Sequence, residues 1–157
     1  MREILFRAKR IDNGEWVEGN LIYSEDADDD YKAIIIPVSN SAMFTRGGSK
    51  GDLGFEEWQR VDTSTICQYT GLTDKNGQKI FENDVVKKHF YTDYDNYANS
   101  EEYIGFVKYE DCAWVIETKA NNRICTIPII EAMAYSKDIE HFEVIGNIFE
   151  NPELINE

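Results

Sequence analysis

Apolar and polar residues alternate along the first 23 residues of the chain, as is typical of β-strands. The alternation over residues 3–10 is followed by Asn13-Gly14, a dipeptide that tolerates the positive φ of a tight turn. A second alternating run then covers residues 15–23, with apolar side chains on both faces. The pattern predicts a β-hairpin that packs against further structure.

The next forty residues are less regular. Residues 33–38 form a short apolar, β-branched run that suits a buried strand. Residues 39–54 hold four glycines in a polar stretch and predict a long loop. For residues 53–61 two interpretations stay open, one or two helical turns or a strand that begins near Trp58.

The second half of the chain predicts more strands with frequent turns. The expected strands cover residues 66–69, 79–89, 103–109, 112–118, 124–130 and 142–149. Lys75-Asn76-Gly77-Gln78 predicts a tight turn, Glu82-Asn83-Asp84 a sharp corner, Glu110-Asp111 and Asn121-Asn122 two further turns, and residues 131–137 a helical turn. The sum is roughly ten short strands without a long amphipathic helix or a repeat, which predicts an antiparallel barrel or roll.

The composition agrees with a folded, soluble domain. A chain of 157 residues with 42% hydrophobic and 13% aromatic residues has enough apolar surface for a core without a metal or disulfide. Cys67, Cys112 and Cys125 form an odd set without C-x-x-C spacing, and the N-terminus lacks the apolar stretch of a signal peptide. We therefore expect a reduced, cytoplasmic protein with no membrane segment.

The net charge of −14 opposes direct binding to DNA or RNA, because phosphate contacts need lysine and arginine. Solubility is the simplest reason for the acidity, while attraction to a basic partner or mimicry of a nucleic acid are the functional alternatives. The acidic residues concentrate in residues 25–30 and 93–102.

None of the short motifs predicts a catalytic, cofactor or metal site. Asp26, Asp28 and Asp30 have the spacing that begins a calcium loop, but Tyr31 and Pro37 replace the glycine and glutamate that such a loop needs. Residues 46–51, RGGSKG, lack the order of a phosphate-binding loop. His89 and His141 have no metal-ligand spacing with the cysteines, so we expect no enzyme and no cofactor.

Two long segments carry a family resemblance. Residues 68–86 read QYTGLTDKNGQKIFENDVV and closely resemble the signature of the YopX family of phage and prophage proteins, Q-Y-T-G-L, D-K-N-G and I-[YF]-E-G-D-I-V. Residues 143–154, EVIGNIFENPEL, match the closing pattern of the family, and residues 6–9 and 16–19 also fit. Asn83 stands where the family usually has glycine, so this corner requires a left-handed or bulged conformation that asparagine tolerates.

The resemblance implies a mainly β fold of antiparallel strands, with an SH3-type barrel in the C-terminal half and the N-terminal β-hairpin region packed on it. We expect a single domain over residues 1–157, with a further division between residues 1–60 and 61–157. The resemblance also implies a phage or prophage origin, and it supplies no established activity that could be assigned to residues of this chain. Gln68, Tyr69, Thr70 and Asn147 are the candidate interaction surface, because polar residues in these motifs exceed what turns require.

Two functions follow as hypotheses. The first is a non-enzymatic accessory protein that binds or assembles with a host or phage protein, supported by surface-capable aromatics such as Tyr91, Tyr94 and Tyr97. The alternative is an acidic nucleic-acid mimic that blocks a basic host protein. A homo-oligomer is also expected, because residues 34–36 and 127–130 are apolar on both faces of their strands.

Overall fold

The computed structural model describes residues 3–38, 43–46, 52–55, 57–91, 100–120, 123–129 and 142–155. Thirteen strands lie in these ranges. They are β1 Phe6–Lys9, β2 Trp16–Tyr23, β3 Ala33–Pro37, β4 Met43–Arg46, β5 Asp52–Phe55, β6 Gln59–Arg60, β7 Cys67–Thr73, β8 Lys79–Phe81, β9 Asp84–Tyr91, β10 Ser100–Glu110, β11 Ala113–Ala120, β12 Arg123–Pro128 and β13 Phe142–Asn147. Their registered pairings are antiparallel, which confirms the predicted mainly β, antiparallel fold.

The chain divides into two compact units, Met1–Tyr69 and Thr70–Glu157. Whether they are one domain or two stays a prediction, as does the packing of the N-terminal hairpin on the C-terminal half. The predicted turns at 121–122 and 131–137, residues 92–99, which include most of the acidic segment 93–102, and His141 lie outside the described residues.

The first unit is built on the predicted N-terminal hairpin. Phe6 pairs with Gly19 and Lys9 with Trp16, and Gly14 adopts φ +72° at the turn. β2 pairs with β3, and β3 pairs with β6. Gly19 has no substitute here, because a Cβ would lie 1.9 Å from the carbonyl oxygen of Ile36. The core of this unit contains Ala8, Ala33, Ile35 and Val61.

The short strand β6 and the residues after it are bonded on two sides. Val61 donates its N–H to the carbonyl of Ala33, the first residue of β3. On the other side, Arg60 accepts the N–H of Ile11, and Asp62 donates to the carbonyl of Lys9. The segment 60–62 is therefore held by both β3 and the end of β1.

Two predictions for this unit are wrong. Residues 39–54, predicted as one loop, contain β4 and all of β5 except Phe55, and the two strands pair from Met43↔Phe55 to Arg46↔Asp52. The two four-residue strands flank the glycines at 47, 48 and 51, so the composition of the whole stretch concealed their β pattern. The helical alternative for residues 53–61 is also wrong, because Asp52–Phe55 and Gln59–Arg60 are strands.

β7 begins in the first unit, where Cys67 and Gln68 pair with β1. The second unit starts at Thr70 within β7, and it contains β8 and a five-stranded sheet of order β12-β11-β10-β9-β13. The turn before β8 has Gly77 at φ +79°, and the corner before β9 has Asn83 at φ +66°. Both were predicted from the sequence. The core contains Ile80, Val86, Val107, Ile116, Ile129 and Phe142. A bulge between Val144 and Gly146 shifts the register of β13 against β9.

The SH3-type barrel stays a prediction. The described residues of the second unit form a five-stranded antiparallel sheet, and no closed barrel is found among them. The hairpin of β10 and β11 is present, but its turn lies one residue later than predicted. Asp111 and Cys112, at φ +48° and +64°, form the turn. No helix within the described ranges is long and apolar enough to cross a bilayer.

Candidate functional site

The four residues predicted as an interaction surface are mostly buried. Tyr69, Thr70 and Asn147 are 6–7% exposed, and Gln68 is half-buried opposite Phe6. Thr70 donates its hydroxyl to the carbonyl of Ile80, at 2.8 Å. Their part in an interaction stays a prediction, and their visible contacts lie within the fold.

Asn147 closes the C-terminal turn. Its side-chain oxygen accepts the N–H groups of Phe149 and Glu150, both at 3.0 Å, and its amide nitrogen donates to the Glu150 carboxylate. Gly146 makes room for this turn, because a Cβ there would lie 2.4 Å from the Asn151 side chain. Gly146 and Asn147 of the closing motif therefore have a structural role in forming the C-terminal turn.

Asp74, also in the signature, organises the β7–β8 turn. One carboxylate oxygen accepts the N–H groups of Asn76 and Gln78, at 2.8 and 2.9 Å, and the other accepts the N–H of Val144 on β13, at 3.1 Å. Burial raises the pKa of the Asp74 carboxyl, but these N–H groups together lower it more, so its pKa lies below the ordinary value.

Lys88 is an unusual buried cation in the second unit. It is 3% exposed and lies on β9, with its amine 4.8 Å from the centre of the Phe142 ring. Burial lowers the pKa of this amine to about 8. Within the described residues, no group of three His, Cys, Asp or Glu side chains is placed to hold a metal ion, and the core cavity lined by Ile80, Val86 and Phe142, of about 10 Å³, is too small for a ligand.

The first unit carries a set of side chains with the character of a binding surface. Tyr31 and Trp58 are 53% and 44% exposed, with ring centres 6.3 Å apart and planes tilted by 52°. The guanidinium of Arg60 lies 5.5 Å from the centre of the Tyr31 ring and 3.8 Å from an Asp30 carboxylate oxygen. We call Tyr31, Trp58 and Arg60 the aromatic cluster.

Local backbone structure positions the aromatic cluster. Tyr31 ends the 3₁₀ turn Asp29–Tyr31, which its N–H closes by donating to the carbonyl of Asp28. The N–H of Ser24 donates to the carbonyl of Lys32 and closes residues 24–32 into a loop between β2 and β3, which we call the acidic loop. Trp58 directly precedes β6, so the two-sided bonding of residues 60–62 also holds this side of the cluster.

The charges around the aromatic cluster are only partly balanced. Lys32 bonds to Asp29 at 2.7 Å, which lowers the pKa of the Asp29 carboxyl and raises that of the Lys32 amine. Arg60 lies near Asp30. Glu25, Asp26 and Asp28 are exposed, and none of them has a basic partner within the described ranges. The loop therefore presents uncompensated negative charge beside exposed rings.

A groove of about 390 Å³ adjoins these segments in the first unit, lined by Lys9, Arg10, Ile11, Asp29, Val61 and Asp62. Its volume is within the range of ligand sites. Arg10 forms two hydrogen bonds to Asp12 and is therefore already engaged, and these bonds lower the pKa of the Asp12 carboxyl. Two of the residues that line the groove are chain neighbours of the aromatic cluster: Asp29 lies in the 3₁₀ turn that ends at Tyr31, and Val61 follows Arg60.

The aromatic cluster was not predicted from the sequence. The surface aromatics predicted there are tyrosines 91, 94 and 97, and their side chains lie outside the described part of the chain. A signal was present, since Trp58 stands among polar residues in the run EEWQR and Tyr31 ends an acidic run. A large aromatic in such surroundings has few apolar sequence neighbours with which to be buried.

Comparisons with known proteins agree with the motifs. A family model described as YopX protein matches residues 5–156. Among solved structures, the chain is similar to protein EF1440 from Enterococcus faecalis, at 25% sequence identity and a TM-score of 0.56, over 99% of this chain and 100% of that one. No curated protein sequence matches. Because the family model covers nearly its whole length, this chain belongs to the YopX family.

Proposed function

We propose that this protein is a non-enzymatic accessory protein of a phage or prophage that binds a host or phage protein through the aromatic cluster. The observation that carries the proposal is the exposure of Tyr31 and Trp58 beside Arg60. Tyrosine, tryptophan and arginine are the residues most enriched at protein interfaces and at the positions that dominate their binding energy.

The energetic argument concerns Trp58. Aromatic side chains bury about 150–250 Å² when fully covered, and Trp58 is 44% exposed. A partner that covers this remainder removes on the order of 100 Å² from water, which is worth about 2–3 kcal/mol. A single tryptophan can therefore account for a measurable part of an affinity, and its removal provides the test.

The experiment starts with a tagged copy of the chain in cells that carry the phage. A co-purified protein is identified and purified, and its Kd is measured by calorimetry against the wild type, Trp58→Ala and Tyr109→Ala. Tyr109 is the matched control, because it is an exposed aromatic, at 56%, on the second unit. The proposal requires at least a tenfold loss for Trp58→Ala and less than a twofold change for the control. Equal affinities for all three proteins would refute it.

The acidic nucleic-acid mimic is the second candidate function, and the uncompensated charges of Glu25, Asp26 and Asp28 favour it. A mimic binds a phosphate-reading groove through distributed charge, so its affinity falls steeply with salt and changes little on Trp58→Ala. The same titrations at 0.05 and 0.2 M salt therefore separate the two functions.

We also propose a cytoplasmic location in the host cell and a homo-oligomeric state. The exposed thiol of Cys112, which forms no disulfide, supports the first. Exposed apolar side chains on the first unit, including Ile22 at 42% and Val38 at 45%, support the second. Light scattering across a tenfold concentration range tests the oligomer, and a constant mass of one chain would count against it.

A further inference from the structure

We infer that the aromatic cluster and the acidic loop together recognise an arginine- or lysine-bearing segment of the partner, with one cation on the ring of Trp58 and others beside Glu25, Asp26 and Asp28. The inference rests on the proposed function and specifies the chemistry of the partner at that site.

Arg60 shows what this surface holds. Its guanidinium lies between the face of Tyr31, at 5.5 Å, and the carboxylate of Asp30, at 3.8 Å. A ring face attracts a cation through its quadrupole, and a nearby carboxylate adds charge attraction. The surface therefore already combines the two groups that favour a cation, and Trp58 adds a second exposed ring whose centre lies 6.3 Å from that of Tyr31.

The two tryptophans of the first unit differ in how their rings are occupied. The ring of Trp16 has the guanidinium of Arg7 at 4.9 Å and the amine of Lys9 at 5.4 Å. Over Trp58, the described residues place no cation. The ring of Trp58 can therefore accept a cation from a partner, in the way that the ring of Trp16 accepts Arg7 and Lys9 of this chain.

Charge complementarity selects the partner segment. Lys32 and Arg60 compensate Asp29 and Asp30, and the three other acids of the loop stay uncompensated within the described residues. The acidic loop and the net charge of −14 repel an acidic segment or a nucleic acid. An apolar helix would have to remove these carboxylates from water without compensation, which opposes its binding.

The probe is a fluorescein-labelled octapeptide of alternating arginine and glycine, measured by anisotropy against the full chain in 0.15 M salt. The matched peptide replaces arginine with citrulline, which keeps the shape and removes the charge. We expect the arginine peptide to bind at least tenfold tighter than the citrulline peptide. Trp58→Ala should weaken its binding by about five- to thirty-fold, as expected for a cation–ring contact.

A second variant, Asp26→Asn with Asp28→Asn, leaves the rings in place and should weaken binding at least threefold. The control variant, Asp111→Asn with Glu153→Gln, removes the same charge from exposed positions of the second unit and should change binding less than twofold. Circular dichroism melts confirm that each variant is folded.

Two results would overturn the inference. One is equal binding of the arginine and citrulline peptides, and the other is equal losses in the loop variant and the control variant. If the purified protein partner still depends on Trp58 in either case, the proposed function stands and only the basic segment is refuted. If neither ligand depends on Trp58, both proposals fail.

Discussion

Replacing Asp74 tests whether the signature of this family is a folding device. The side chain is 4% exposed and accepts three backbone N–H groups, from Asn76, Gln78 and Val144. The first two bonds hold the β7–β8 turn, and the third joins that turn to β13. We therefore expect Asp74→Ala to loosen the turn and its connection to β13 together.

The magnitude follows from the number of bonds. A hydrogen bond to a charged group contributes about 1.5–3 kcal/mol, and water replaces part of this at the half-buried N–H groups of Asn76 and Gln78. We expect Asp74→Ala to lower the free energy of unfolding by about 3–5 kcal/mol. Asp74→Asn keeps one oxygen for the turn but presents an NH₂ group to the N–H of Val144, so about 1.5–3 kcal/mol is expected.

The assay is urea unfolding followed by tryptophan fluorescence. Trp114 is the one tryptophan among residues 70–157, so a Trp16→Phe, Trp58→Phe background reports on the second unit alone. Asp111→Asn is the control, because this exposed turn carboxylate should change stability by less than about 0.5 kcal/mol.

The pH dependence gives an independent check. The folded pKa of Asp74 lies below its ordinary value of 3.8, so its stabilising effect is present above that pH and is lost as the pH falls through the folded pKa. The difference between wild type and Asp74→Asn should therefore be constant near pH 6 and shrink below pH 3.8. A cost below 1 kcal/mol for Asp74→Ala, or equal costs for alanine and asparagine, would refute the argument, since about 3 kcal/mol or more is expected.

Substitutions at three further positions test the second unit in urea. The wild type should gain at most about 3 kcal/mol of stability between pH 8 and 10.5, because in that range only the folded state releases the proton of the Lys88 amine. Lys88→Met should remove this gain, and parallel curves of stability against pH for the two proteins would contradict the prediction. Gly105→Ala should cost about 1–3 kcal/mol, because its Cβ would lie 2.5 Å from the Glu117 carbonyl oxygen, and an unchanged urea midpoint would argue against this close approach. Asn83→Ala should cost about 1–2 kcal/mol at φ +66°, whereas Asn83→Gly should not; equal costs would show that the left-handed corner is unimportant.

Local turn chemistry was predictable from the sequence where it uses glycine or asparagine. Gly14, Gly77 and Asn83 all have positive φ as expected. The turn at Asp111 and Cys112 was predicted one residue too early because cysteine, unlike aspartate, is no signal for the left-handed conformation. The strands at 43–46 and 52–55 were missed because four residues are too few to show a period against a glycine-rich background.

The candidate site depends on features that a sequence does not contain. Trp16 and Trp58 both stand in polar surroundings along the chain. Strand register brings Lys9 opposite Trp16, so the Trp16 ring contacts a cation of the same chain. Likewise, the sequence motif alone suggests that Thr70 and Asn147 are polar residues available for an interaction. Their hydrogen bonds in the structure are made within the fold.

The bonding of residues 60–62 to both β3 and the end of β1 has a consequence for recognition kinetics. A segment that is hydrogen-bonded on two sides loses little conformational entropy when a ligand binds, because folding has already ordered it. Association should then proceed without a preceding rearrangement of Arg60 or its neighbours, and differences in affinity among partners should appear in their dissociation rates.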